Sequence, residues 1–432
     1  MFDEIQFSGF NDKQSRYIKR IFGISPSRPD PLYYSDVKTG YFRLVAEDYF
    51  NNVYPSIYFD KSTDAFKLLL TRRPQKNFQV DFGGVIATRD ISNIFLGLNL
   101  FDFNRVLTHM SLGFQTGNFF KSAQLRSRFD FPLFRQFFIE PSLTFNSWDY
   151  LENNNLLQDE ATTVVNRINR KIGVDFGWPL GQRFKAVAGI EGFSNDDRYS
   201  NNAVFVSTDT LDQLKLKGFK SFFSFSTSTL NRKQYPNAGG AFSLTGSYFS
   251  ARENYTPGST SINDTSEKRR HEWFRFKLAA EQYFNRGFFK PGYFFEAVFS
   301  NQPVFSNYYG TIINTPGFTP FQDSPTLILE NYRSFTYLAG GLRNVFAIKS
   351  KLDFRLEGYL FKPLDYLYQD ENQDASRRSD FTKIFVTASA GLVFHSPIGP
   401  VSFSANYYDD EQNRFGVLLH AGFLLFDRHS FE

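Results

Sequence analysis

Five histidines, His109, His271, His395, His420 and His429, are the side chains best suited to proton transfer or metal ligation, and their spacing serves neither. They are scattered without the close repeats of a ligand set, which suits solvated or interior-facing roles. The chain has no Cys, so disulfides and thiolate metal sites are excluded. No Gly-x-Ser-x-Gly elbow occurs, so the commonest seat for a serine nucleophile is missing. What recurs instead is charge at every second position. Gln124, Arg126, Arg128 and Asp130 alternate with Ala123, Leu125, Phe129 and Phe131. Asp353, Arg355, Glu357 and Tyr359 alternate with Leu352, Phe354, Leu356 and Leu360. Arg275, Lys277 and Glu281 oppose Phe274, Phe276, Leu278 and Ala280. Such residues can line a wet wall with a greasy back.

The elements that position them are strands. Side chains of a strand point to opposite faces with period two. The clearest case is the meander Phe381–Phe426, where Val386, Ala388, Ala390, Leu392 and Phe394 alternate with small polar residues. A tight Ser396-Pro397-Ile398-Gly399 turn leads into Val401, Phe403, Ala405 and Tyr407, then into Val417–Phe426. Composition agrees: 55 Phe and 23 Tyr in 432 residues favour strands. From Asn77 onward about sixteen strand-length runs follow one another. They lie near 77–88, 91–102, 106–118, 121–133, 136–148, 164–178, 182–195, 212–229, 241–253, 269–285, 291–303, 335–348, 350–362, 381–396, 399–408 and 416–426. Connections at one end are short, such as 102–105 and 397–398. Those at the other include the long stretches 149–163, 196–211, 254–268, 304–334 and 363–380.

Alternation alone does not separate a membrane barrel from a soluble sandwich. Run length does. About twelve residues at ~3.3 Å each, tilted by ~40°, cover roughly the ~25 Å apolar band of an outer membrane. An arginine facing lipid at the midplane costs about 2–4 kcal/mol, so the arginines above must face a wet lumen. Net charge is +4, with 48 Lys and Arg against 44 Asp and Glu and no basic block, which argues against nucleic acid. No run approaches 18 uncharged apolar residues, so no transmembrane helix is expected. The start, Met1-Phe2-Asp3-Glu4, lacks an apolar signal core, which fits a cytoplasmic protein or a piece of a longer chain.

Residues 1–75 read differently. Ile5–Phe7 is a short strand, and Asn11 can cap a helix carrying Tyr17, Ile18, Ile21 and Phe22. Ser35 can cap a second helix, and strands follow near 53–60 and 65–72. The fold class is therefore mainly β: a 16-stranded antiparallel transmembrane barrel over 76–432, preceded by a small β-α-α-β-β domain over 1–75.

This plan resembles the POTRA-plus-barrel superfamily of outer-membrane proteins, which includes barrel-assembly subunits, two-partner secretion transporters and patatin-like phospholipases with a fused barrel. The resemblance covers essentially the whole chain. In that family the sixth outer loop folds into the lumen, and its arginine contacts a carboxylate on the thirteenth strand. The resemblance therefore implies a lock between Arg333, within Tyr332-Arg333-Ser334-Phe335, and Glu357, which adjoins Gly358. Tyr and Ser stand where the family has Val and Gly. It also implies a C-terminal assembly signal in Gly422-x-Leu424-x-Phe426. The Gly83–Gly84 pair in the first run is a candidate weak seam with the last run; a bend or bulge at the rim is the other reading.

A single module most resembles the C-terminal part of a patatin-like phospholipase whose enzyme lies upstream. The chain has no Asp-Gly dipeptide, so a patatin-type Ser–Asp dyad has no seat, and no enzyme is expected in this stretch. A phospholipase barrel with Ser and His on its wall would be smaller and lack the module. Expected partners are outer-membrane lipids, the barrel-assembly machinery and a passenger or client polypeptide at the module, which would sit in the periplasm. No cofactor or metal is expected. The alternatives are an assembly factor for other barrels and a passive plugged anchor.

Overall fold

The computed structural model describes residues 2–24, 33–45, 53–72, 77–132, 136–150, 164–181, 183–201, 208–379, 382–410, 413–424 and 429–431. The N-terminal unit comprises β1 (Phe2–Ser8), α1 (Asp12–Ile21), α2 (Tyr34–Val45), β2 (Val53–Asp60) and β3 (Ala65–Arg72). Asn11 caps α1: its side chain accepts from the backbone of Lys13 and Gln14, and the Gln14 side chain returns the bond. The helix then buries Tyr17, Ile18 and Ile21. The second helix begins earlier than its sequence suggests. The carbonyl of Tyr33 accepts from Asp36 and Val37, so Ser35 lies inside the first turn and not at the cap. Gly40 permits the helices to meet, since a Cβ there would fall 2.4 Å from the Phe22 ring. The sheet order is β1-β3-β2, parallel then antiparallel.

The barrel strands are β4 (Phe78–Ala87), β5 (Asn93–Phe103), β6 (Leu107–Gly117), β7 (Phe120–Phe131) and β8 (Phe137–Asp149). Next come β9 (Val165–Leu180), β10 (Phe184–Tyr199), β11 (Asp212–Ser228), β12 (Gly239–Thr256), β13 (Glu267–Tyr283) and β14 (Phe289–Ser300). After a loop holding α3 (Tyr308–Ile313) come β15 (Tyr337–Lys349) and β16 (Leu352–Pro363). A small hairpin, β17 (Tyr366–Gln369) and β18 (Ala375–Arg378), occupies the connection expected to be plain polar loop. The last strands are β19 (Phe385–Ser396), β20 (Gly399–Tyr408) and β21 (Phe415–Gly422). All sixteen barrel strands pair antiparallel with their neighbours, and β21 closes the ring onto β4.

The two faces separate as the alternation requires. Leu125, Leu143, Ile172, Phe274, Phe276, Leu356 and Leu360 are exposed on the outside. Arg275, Asp353, Arg355 and Tyr359 are buried inside. The charged members therefore line an interior that the loops partly fill. No described helix is long and apolar enough to cross a membrane.

The N-terminal unit sits at the end with the short turns. Gln14 Nε2 donates to the buried carbonyl of Phe103 at 2.8 Å, and Tyr17 meets the Phe103 ring edge-on at 5.1 Å. Phe103 and Leu107, which flank the β5–β6 turn, belong to the same core as Ile18, Ile21 and Leu68. The unit is thus docked on the barrel through a shared core.

Candidate functional site: a closed lumen

Residues 301–336 leave β14 and turn into the barrel, where polar side chains of the wall receive them. Asn307 caps α3 by accepting from Gly310 N at 2.8 Å. The Tyr199 hydroxyl donates to the same oxygen at 2.6 Å, and Asn307 Nδ2 donates to Asp212 at 3.0 Å. Ser306 N donates to Glu253 at 2.7 Å. Past the helix, Asn314 bridges Arg167 and Asp197, which are themselves paired at 3.1 Å. One wall, β9 to β12, therefore holds the first half of the loop through buried charged or amide groups. Such groups are costly to bury unless satisfied, so the sites and the loop specify each other.

The second half is bolted to the opposite wall. Tyr332 is fully buried among Phe361, Phe385 and Tyr408. Its hydroxyl donates to Val386 O at 2.7 Å and accepts from Asp409 N at 2.9 Å. Burial, with Asp409 and Asp410 close by, pushes its pKa above the ordinary tyrosine range. Asp323 accepts from the Tyr408 hydroxyl at 2.8 Å and faces Arg89 at 3.6 Å. Ser334 donates to the carbonyls of Thr336 or Asp365, and Phe335 is buried beneath the Arg377 guanidinium at 4.2 Å. Phe318 and Phe321 pack on Tyr359.

Arg333 is 8% exposed, and its Nη1 donates to the carbonyls of Ile312, Ile313 and Thr315 at 3.4, 3.3 and 3.1 Å. These carbonyls lie at and just past the end of α3, where the helix dipole favours a cation; that of Ile312 also accepts from Thr315 N at 3.2 Å. Glu357, on β16, is held by different groups. Arg355 Nε reaches it at 2.8 Å and the Tyr359 hydroxyl donates to it at 2.7 Å, with Arg343 Nε at 3.9 Å. Arg355 also ties the turn 229–238 into the barrel by donating to Pro236 O at 2.8 Å. The bonds of the expected lock are therefore redistributed: a backbone cradle receives Arg333, and strand neighbours receive Glu357. Gly358 carries no close neighbour at its Cβ direction.

The seam is the thinnest joint of the ring. β12 and β13 pair from Gly239 to Tyr255, whereas among the described residues β21 and β4 pair at His420–Ala87, Ala421–Ile86 and Gly422–Val85, with one further bond from Thr88 N to Leu419 O at 2.9 Å. Gly84 stands at the end of this pairing; Gly83, one residue further, has open space at its Cβ direction. Gly422 has φ +106°, and a Cβ on it would fall 2.0 Å from Gly84 O. The last strand thus ends there, four residues short of the run expected from the alternation. Leu424 is buried, with its carbonyl accepting from Gln234 Nε2. Phe426 lies outside the described residues.

Sequence reasoning missed one occupant of the lumen. His429, Ser430 and Phe431 lie inside the barrel, nearly fully buried. Arg167 and His429 are 3.1 Å apart, Asn169 Nδ2 donates to the Ser430 hydroxyl at 2.7 Å, and Lys220 donates to Ser430 O at 3.3 Å. The Phe431 ring meets Phe193, Phe249 and Trp273 edge-on at 5.2, 5.8 and 5.5 Å. Burial and the cations Arg167, Lys171, Arg333 and Lys220 push the His429 imidazole well below its usual range. An aromatic two residues from His429, after a charged stretch, was the available signal.

The fold is that of known sixteen-strand barrels. The chain resembles the crystal structure of BamA from Haemophilus ducreyi lacking POTRA domains 1–3, with TM-score 0.60 and 12% identity over 98% of this chain and 84% of that one. It resembles CdiB from Escherichia coli with TM-score 0.54 and 11% identity over 98% of this chain and 76% of that one. For CdiB from Acinetobacter baumannii the values are 0.50, 8%, 98% and 74%. No family model and no curated protein sequence matches the chain.

Proposed function

We propose that this chain is an outer-membrane barrel of the polypeptide-transport type, closed in its resting state by its own inward-folded loop. The observation that carries the reading is the loop 301–336 held by buried polar contacts on two facing walls, beside a seam with three paired positions among the described residues. A passive anchor has no use for a closure built from separate, releasable bonds. The fold shared with BamA and CdiB supports the location and the class of work. In this reading the N-terminal unit is a POTRA module in the periplasm that receives an extended segment by strand addition, since β1 and β2 are open sheet edges. The passenger is proposed to be a patatin-like phospholipase fused upstream, and the stretch described here is proposed to carry no enzymatic activity of its own. The sequence upstream of Met1 tests the passenger.

Planar-bilayer recordings test the transport reading. Large, variable openings in the purified protein support it, and silence even after the loop is released refutes it in favour of an anchor. The assembly-factor alternative predicts that deleting residues 1–75 lowers the levels of other outer-membrane barrels; unchanged levels remove it.

A further inference from the structure

We infer that the inner wall formed by β9 to β13 is a binding site for an extended client segment carrying an aromatic residue flanked by carboxylates, and that residues 429–431 are its occupant in the resting chain. The inference rests on the transport reading and names the chemistry of what enters.

The site has two parts. The upper part is the aromatic box of Phe193, Phe249 and Trp273, which holds the Phe431 ring in edge-to-face contacts. Around it are polar groups that hold the neighbouring residue. Asn169 and Lys220 grip the hydroxyl and carbonyl of Ser430. Trp273 Nε1, Asn195 Nδ2 and Asn169 Oδ1 are buried and lack hydrogen-bond partners among the described residues. Two of these are donors and one is an acceptor, the complement of a peptide group.

The lower part is a chamber of about 820 Å³ that begins at His429 and Ser430 and continues toward the short-turn end. Its lining includes seven Lys and Arg side chains and two carboxylates, Glu281 and Glu296. Both carboxylates are already engaged, by Arg343 and Lys277 respectively. Asp175 and Glu191 stand on the adjacent wall near Lys185 and Lys220, so part of the remaining charge is balanced. Nine Ser and Thr residues share the chamber's lining, among them Ser224, Thr227 and Thr245. A confined positive field favours an anionic segment over a cationic one and disfavours the wrong sign by more than it would in open water.

Occupancy in cis has a measurable signature. A site open for only part of the time binds in proportion to that fraction, so vacating the box must raise apparent affinity. The experiment uses the full chain in nanodiscs and three fluorescent pentapeptides: Glu-Asp-Phe-Asp-Glu, its Lys-Lys-Phe-Lys-Lys counterpart and Glu-Asp-Ala-Asp-Glu. Phe431→Ala is expected to bind the acidic aromatic peptide about tenfold more tightly than the wild type. Adding Lys220→Gln reverses most of that gain, and neither control peptide binds comparably. Higher salt weakens the complex. Equal binding of the acidic and basic peptides, or no gain in Phe431→Ala, overturns the inference. Should Phe431→Ala fail to fold, a photo-crosslinking version of the acidic peptide on the wild type decides. Adducts on β12 or β13 support the site, and adducts elsewhere or none overturn it. Bilayer recordings on the same preparation separate the two readings: openings without peptide preference sink this inference alone, while peptide binding without openings sinks the transport reading alone.

Discussion

Replacing Arg333 by alanine removes the cap on α3 and, with it, the tie between the two halves of the closing loop. The bonds lost include those from one guanidinium nitrogen to three carbonyls at 3.1–3.4 Å. Hydrogen bonds to a charged group contribute about 1.5–3 kcal/mol each when short and unshared. These are long and share a donor, so they count as roughly one such bond. The favourable cation at the helix end adds about 0.3–1 kcal/mol. Together the substitution weakens closure by about 3 kcal/mol, which is roughly a hundredfold in the open fraction. Arg333→Lys keeps the charge but not the reach of the fork, so it should fall between, near tenfold. Single-channel recordings read the open probability, and limited proteolysis of 301–336 reports whether the loop has left the lumen. An open probability within twofold of the wild type, with the loop equally protected, would refute the assignment of Arg333 as the tie.

Leu360→Arg, on the outward face of β16 and 56% exposed, should cost about 2–4 kcal/mol and lower the yield of folded barrel in vesicles if that face meets lipid; Ser226→Asp, whose side chain lines the cationic inner chamber, should not. Gly422→Ala forces a side chain onto φ +106° and against Gly84 O, so the seam should lose at least about 1–3 kcal/mol. A gel-shift assay of folded against heated protein should then give a lower midpoint temperature, and an unchanged midpoint rejects the strain argument. The seat of His429 should weaken in acid. It is faced by Arg167 and Lys171 from β9, Lys220 from β11 and Arg333 from the loop, with Asp197 of β10 at 3.9 Å. Its seated value lies below the ordinary 6.5, so the seat is at full strength above that pH. It loses strength as pH falls below 6.5, where the released imidazole takes a proton that the seated one resists. A fluorine label on the Phe431 ring should report more solvent exposure at pH 5 than at pH 7.5, and His429→Phe should flatten that difference; equal exposure at both pH values rejects it.

The barrel was legible because its information is local and repeated. Period-two alternation at Leu356/Glu357 or Phe274/Arg275 states which face is wet without reference to any other strand. The Ser396–Gly399 turn carries its own chemistry, and Asn11 its own cap. The interior was less legible because it is built by partners far apart in sequence. Nothing near Arg333 announces that its acceptors lie about twenty residues back at the end of a six-residue helix. The aromatic and charged neighbours on β16 that satisfy Glu357 were visible as wet-face residues, but their preference for each other over the loop arises only once Arg355 and Tyr359 stand beside it. The stretch 229–238 was read as a connection, and it contributes Gln234 and Pro236 to the lumen because neighbouring strands present groups for them.

The shared core at Phe103 and Leu107 makes the N-terminal unit and the β5–β6 hairpin a single stiff piece. In the ring that hairpin stands next to β4, the strand with the shortest join. A tug on the outer edge of the small sheet is therefore delivered, with little slack, to within one strand of where the cylinder parts most easily. In the transport reading proposed above, a client held at that edge would work a handle as well as meet a doorway.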